Sequence, residues 1–160
     1  MSAIKSTLWL PTNELLTLDL DSNYQILPNF KVWEIANNKT TDEIKLVIPN
    51  ARAWKLLLML QTTRDRFGSM DLGSCYRTEE YNSRPDVGGD PNSCHLVTWA
   101  FDWDESFSSA EYNTVTDWWR RLCQNAGEIG AIDYYNWGVH CEIGSDIRFG
   151  ATSFKIRDYR

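Results

Sequence analysis

Between residues 50 and 67, apolar side chains return every three or four positions. Trp54, Leu57, Leu58 and Phe67 fall near one face, Pro49 precedes the run and Gly68 follows it. That spacing predicts a helix which Gly68 stops. A second helix is predicted from Ser108 to about Asn125. Ser108 and Glu111 have capping-box spacing, and Tyr112, Val115, Trp118, Trp119, Leu122 and Ala126 make its buried side before Gly127 ends it. Elsewhere the apolar runs are short and suit strands: 98–103, 129–135 and 138–143, the last two joined near Asn136. Residues 70–74 read as a short strand and 152–156 as an edge strand. Residues 30–36 form a small amphipathic piece of one or two helical turns, and 79–82 a short helix capped by Thr78. Residues 83–92 are turn-formers throughout, hence a loop. Residues 37–42 read as a polar loop and 43–48 as extended. Near the N-terminus, 8–10 and 15–20 fit either short strands or a helical turn. The sum is an α+β domain, with helices packed on a small, mostly antiparallel sheet and no internal repeat.

The chain has 160 residues, enough for one domain with a real core. With 24% charged and 42% hydrophobic residues it is globular in composition. Eight tryptophans and seven tyrosines are more than a core of this size needs. Trp99, Trp103, Tyr134, Tyr135 and Trp137 are therefore candidates to wall a groove as well as to fill the core. A net charge of −6 without a basic stripe argues against nucleic acid as a partner. Arg148, Lys155, Arg157 and Arg160 read as ordinary surface. No apolar run is long enough to span a membrane. The N-terminus lacks the features of a secretory signal, so synthesis in the cytoplasm is expected. The four cysteines, Cys75, Cys94, Cys123 and Cys141, have no C-x-x-C spacing; a cysteine-only zinc site is not expected, and free thiols are. A Cys94–Cys141 disulfide would require their two strands to pair. A monomer is the default.

The candidate chemistry lies in two stretches. Ser93 to Asp102 and Trp137 to Glu142 hold the only two histidines, His95 and His140, among apolar residues that look like core-facing strand. Asp102 sits in an apolar run, where a carboxylate must be paired or hold a metal. Two histidines and a carboxylate are the donor set of a catalytic zinc site with its fourth position left to water. The competing reading makes the histidines hydrogen-bonded core residues and pairs Asp102 with an arginine.

An ordered series of short motifs runs through the chain: Arg64-Asp65-Arg66-Phe67-Gly68, Ser74-Cys75-Tyr76-Arg77-Thr78, Tyr81-Asn82, Val87-Gly88-Gly89, Asn92-Ser93-x-His95-Leu96 and Ala100-x-Asp102. With the Asn29-Phe30-Lys31-x-x-Glu34 lead-in, this series resembles the D-alanyl-D-alanine carboxypeptidase-like zinc peptidases (metallopeptidase family fifteen). It is most similar to the branch of phage endolysins and small cell-wall hydrolases. The resemblance covers residues 28–145 and implies a domain of 28–160, of hedgehog-type fold, carrying 1–27 as an N-terminal extension. It implies Zn2+ held by His95, Asp102 and His140. It implies that Arg77 binds the substrate carbonyl or carboxylate and stabilises developing charge; the residue-level alternative is an ion pair with Glu79 or Glu80. The implied reaction is hydrolysis of a peptide bond in a peptidoglycan stem peptide, as carboxypeptidase or endopeptidase. Ser93, Tyr76, Trp137 and Tyr135 are the substrate-binding candidates, and Ser93 could also orient His95.

The chain departs from the family in places. Cys75 and Thr98 stand where glycine is usual, and β-branched Thr98 suits a strand. Trp137 stands three residues before His140, where relatives carry an acidic base. Glu142, two residues after His140, and then Asp133 are the remaining candidates for that base. Either could instead be a supporting carboxylate. A binding or structural module of the same fold, such as a virion or tail component, is the alternative function. An enzyme of this kind would reach the cell wall by phage lysis or in a virion.

Overall fold

The computed structural model describes residues 24–36, 47–48 and 50–160, and, as backbone, 4–9 and 15–20. In chain order, β1 (Ile4–Trp9) and β2 (Leu15–Leu20) pair antiparallel, as do β3 (Gln25–Leu27) and β4 (Phe30–Lys31), and α1 (Val32–Ala36) follows. β5 (Val47–Ile48) joins β1 in parallel. Then come α2 (Ala51–Phe67), β6 (Leu72–Ser74), α3 (Glu79–Asn82), a 3₁₀ turn (Cys94–Val97), β7 (Ala100–Trp103), α4 (Ser109–Ala126), β8 (Gly130–Tyr135), β9 (Gly138–Ile143), α5 (Ser145–Phe149) and β10 (Lys155–Asp158). The fold is α+β in a single small domain, as the patterning predicts. The polar loop expected at 37–42 lies outside the described residues.

Both long helices start and stop where the sequence says. Asn50 accepts from the Ala53 N–H at 3.1 Å and caps α2, and Gly68 closes it at φ 91°. Both halves of the Ser108–Glu111 capping box form, and Gly127 ends α4 at φ 67°. The buried face of α2 is rotated from the expected one. Ala53, Leu56, Leu57, Leu60 and Thr63 point inward, Trp54 and Phe67 flank them, and Leu58 is 60% exposed.

The main sheet has the order β10-β8-β9-β7-β6, antiparallel except for β10 against β8. The pleat separates two chemistries, because alternate residues face opposite sides. Phe101 pairs with Cys141 and Cys141 with Ile132; Trp103 pairs with Val139 and Val139 with Tyr134. This apolar face meets the helices. Trp119 of α4 packs edge-on against Phe101 at 5.3 Å, and Phe67 of α2 lies 5.5 Å from Trp103. The Trp119 indole N–H donates to the Ala131 carbonyl at 3.0 Å. Trp99, Trp103 and Tyr134 are therefore core, not groove.

On the other face a single row crosses all five strands. Ser74 lies opposite Asp102, Asp102 opposite His140, His140 opposite Asp133, and Asp133 opposite Arg157. Three expectations change here. His95 is not on a strand but on the 3₁₀ turn. Thr98 is not in β7: it closes that turn in the left-handed region (φ 56°, ψ 42°), the one positive-φ residue other than glycine among those described. That conformation costs a side-chain-bearing residue about 1–2 kcal/mol. The Thr98 N–H is held by the carbonyls of Cys94 and His95. The C-terminal strand runs through Lys155–Asp158 at the sheet edge, beginning later than expected.

The β8–β9 hairpin packs hard against the end of β7. A Cβ on Gly138 would sit 2.0 Å from the Trp103 carbonyl oxygen, with no flexible side chain to yield. Gly138→Ala is expected to destabilise the protein by about 3 kcal/mol, the upper range for overpacking, as a lowered midpoint in urea unfolding.

Candidate metal centre

Three elements bring the site together. The 3₁₀ turn carries His95, β7 carries Asp102 and β9 carries His140. Ser93 starts the turn, its hydroxyl accepting from the His95 N–H at 3.3 Å. The backbone of Arg77 is fastened to the same turn, its N–H donating to the His95 carbonyl at 3.1 Å. His95 Nδ1 donates to the Cys75 carbonyl at 2.7 Å, which fixes the tautomer and leaves Nε2 as a lone pair. That Nε2 lies 3.2 Å from Asp102 Oδ1 and 3.1 Å from His140 Nδ1, and the last two atoms are 2.8 Å apart.

His95, Asp102 and His140 are the only His/Cys/Asp/Glu group with metal-ligand spacing among the described residues. Four donors around a tetrahedral zinc at its usual bond lengths stand about 3.3 Å apart. The observed triangle, with sides of 3.2, 3.1 and 2.8 Å, is close to that size, and its chemistry is two imidazoles plus a carboxylate. These residues fit zinc.

The surrounding charges prepare each ligand. Burial drives the His95 pKa down, against the pull of Asp102, so the ring is neutral and ready to coordinate. Burial opposes a charge on Asp102, but His95 and His140 outweigh it and hold the carboxyl far below its usual range. Arg77 adds an ion pair to Asp102 Oδ2, and its Nε donates to Ser74 Oγ at 2.8 Å. Arg77 thus pairs with the metal-site carboxylate and not with Glu79 or Glu80. For His140, burial works against protonation, yet hydrogen bonds to Asp102 and Glu142 lift the pKa to about 10.

Glu142 lies on the same side of β9 as His140, as its spacing predicts. Its Oε2 is 3.1 Å from His140 Nε2, while Oε1 accepts from Ser145 at 2.8 Å and from Arg157 at 3.1 Å. Burial resists its ionisation, but His140 first, with Arg157 and Ser145, brings its pKa down to about 2. A carboxylate so committed orients a histidine and makes a poor base. Asp133 differs. Burial raises its pKa, only partly offset by His140 and Arg157, and it lines the cleft.

The site forms the floor of a cleft of about 440 Å³. Ser93, Tyr135 and Trp137 line it; Tyr76 does not, being 8% exposed in the core. Gly88 and Gly89 make one wall, and a Cβ on Gly89 would meet the Asn82 side chain at 2.1 Å. The lining also contains residues that the sequence reading missed: Phe149, Arg157 and Tyr159. Tyr135 stacks on Trp137 (4.7 Å, 10°) and on Tyr159 (5.2 Å, 14°). Arg157 is a site residue, and nothing in an alternating polar tail distinguishes it before the strand register is known. All four cysteines are free and buried; Cys94 sits on the turn and not on a strand paired with Cys141.

Two pH effects follow. In the metal-free protein His140 carries a proton at neutral pH that coordination must displace. Zinc binding at pH 7 is expected to release about one proton per chain, seen by calorimetry in buffers of different ionisation heat, with affinity rising about tenfold per pH unit. No proton release would show His140 already neutral. Without metal, the stability contributed by His140 is complete below pH 6.5 and lost as pH rises towards about 10. That contributed by Glu142 is complete above pH 4.5 and lost as pH falls towards about 2. His95, held neutral by burial, loses stability as pH falls below 6.5, so metal-free stability is expected to peak near pH 6.5, measured by thermal unfolding in chelator.

No curated protein and no solved structure matches the chain. The family model described as Peptidase M15 matches residues 28–142, a span that includes the three metal donors and Arg77, Asp133 and Glu142. With most of its length matched and a donor triangle that fits zinc at the floor of its cleft, the chain belongs to the Peptidase M15 family, as a metallopeptidase of the zinc-dependent, peptidoglycan-related kind.

Proposed function

We propose that this protein hydrolyses peptide bonds in peptidoglycan stem peptides, in the manner of a phage endolysin or small cell-wall hydrolase, acting as a monomer. The observation that carries this reading is the close approach of His95 Nε2, Asp102 Oδ1 and His140 Nδ1 in an open cleft. Bound zinc supplies Lewis acidity and a water activated at neutral pH.

The chain's own residues divide the remaining work. Asp133 takes the proton of the attacking water and passes it to the leaving nitrogen as the carbon–nitrogen bond breaks. Its raised pKa suits a base better than the depressed one of Glu142. Arg77 keeps Asp102 ionised and presents a permanent cation to the scissile carbonyl as negative charge develops there. Glu142 holds the His140 ring. The stacked rings of Trp137, Tyr135 and Tyr159 support an extended peptide along one wall. The products decide between the two activities: free D-alanine for a carboxypeptidase, split cross-links for an endopeptidase. Delivery to the wall by phage lysis or in a virion completes the proposal.

The test is digestion of purified peptidoglycan by zinc-loaded protein. Asp133→Asn is expected to lower kcat by about 10²–10⁴-fold with zinc retained. Glu142→Gln should instead weaken zinc binding by about 10–100-fold. A zinc-loaded wild type that releases no fragments from any peptidoglycan would leave the binding-module reading in place of the enzyme.

A further inference from the structure

The segment matched to the family ends at Glu142, yet the wall of the site is completed by β10. Arg157 lies on this strand and Tyr159 directly follows its end, and both line the cleft. Parallel pairing sets Arg157 opposite Asp133, and Tyr159 stacks on Tyr135. The strand thus places one guanidinium between two carboxylates that are 5% and 2% exposed, Asp133 and Glu142.

Two buried like charges this close oppose each other's ionisation. Arginine answers both because its donors lie in a fixed fork. Nε donates to Asp133 Oδ1 at 2.5 Å and Nη2 to Glu142 Oε1 at 3.1 Å, with the Phe149 ring 5.9 Å from the guanidinium carbon. The other oxygen of Glu142 meets His140 Nε2, and the far nitrogen of that ring is a metal donor.

We infer that Arg157 is a positioning residue for the metal centre: acting through Glu142, it fixes the plane and direction of the His140 ring. This rests on the metal-centre reading above. Simple electrostatics predicts the opposite sign, which makes the inference sharp. Removing a cation from beside a dication tightens metal binding if charge alone matters. If Arg157 acts by position, its removal lets the Glu142 carboxylate turn away from His140, and binding weakens.

The experiment measures zinc affinity by chelator competition and the visible spectrum of the Co2+-loaded protein, which reports ligand geometry without any turnover. Arg157→Met is expected to weaken zinc about tenfold, within the range seen for partners of metal-bound histidines, and to shift the Co2+ bands. Arg157→Lys should fall in between, since one ammonium cannot hold both carboxylates in a fork. In a Glu142→Gln background Arg157→Met should have little further effect, because the relay is already cut. Arg160→Met, which loses the pairing with Asp158 and the stacking over Tyr112 and Tyr134 but reaches neither Asp133 nor Glu142, should match the wild type. Unchanged or tighter zinc binding with an unshifted spectrum in a folded Arg157→Met overturns the inference, as does a full additional loss in the Glu142→Gln background. So does an effect confined to KM, which would place Arg157 on the substrate. Should Arg157→Met not fold, Arg157→Lys decides: weaker zinc supports the inference and wild-type affinity overturns it. A wild type that binds neither metal removes the metal centre itself, a result distinct from an intact centre that ignores Arg157.

Discussion

A carboxylate buried in the middle of a sheet sets the terms for the rest of this molecule. Asp102 is 5% exposed on β7, between Phe101 and Trp103, which are core. Such a charge is tolerated only with partners on every side. Arg77 and His140 are those partners, and each comes from a different segment. The loop before α3 and strand β9 must arrive together for Asp102 to stay ionised. The same demand extends along the row, because His140 needs Glu142, and Glu142 and Asp133 need Arg157.

This row also explains why the register cannot slip. Side chains alternate across the sheet, so a shift of one residue would turn Phe101, Cys141 and Ile132 into the cleft and drive Asp102, His140 and Asp133 into the helices. The apolar face and the polar face therefore fix the same pairing from opposite sides. The helices that cover the apolar face are themselves tied down. Glu128, at the end of α4, is buried against Arg52 at 2.9 Å and Lys55 at 2.5 Å, both on the first turns of α2. Arg52 and Arg148 in turn lie 4.9 and 5.7 Å from the Trp99 ring, just behind the turn that carries His95. Scaffold and site share one set of contacts.

The parts legible from sequence were those written in local pattern. Both long helices and their caps, the β8–β9 hairpin and the loop at 83–92 follow from spacing, capping residues and turn-formers. The metal triad was legible because an apolar run that contains His or Asp is anomalous. What was not legible depends on register and handedness. Thr98 reads as a strand residue by its β-branching, yet the chain must reverse between His95 and β7, a left-handed position where the resembling family carries glycine. Tyr76, an aromatic beside a site arginine, looks like a groove residue but has its backbone fastened to Ile35 and its ring in the core. Arg157 belongs to the site only because β10 runs parallel to β8 in the register that sets it opposite Asp133. No local feature of a polar tail announces that pairing.

Charge balance connects this architecture to its chemistry. Without metal, the carboxylates of Asp102, Asp133 and Glu142 face the guanidinium groups of Arg77 and Arg157 and the imidazolium of His140. Formal charges cancel, so the empty fold does not depend on metal to neutralise its own interior. Exchanging the proton on His140 for a dication leaves one positive charge in excess, at the floor of a cleft in a protein whose net charge is −6. That local surplus favours an anionic group over the long-range repulsion of the acidic surface, which salt screens beyond about 10 Å. A peptide ending in a carboxylate, or a carbonyl acquiring negative charge as it is attacked, is the kind of group such a floor would stabilise. The hydrogen bonds to Asp102 and Glu142 that favour a proton on His140 thus keep the row of charges assembled without metal.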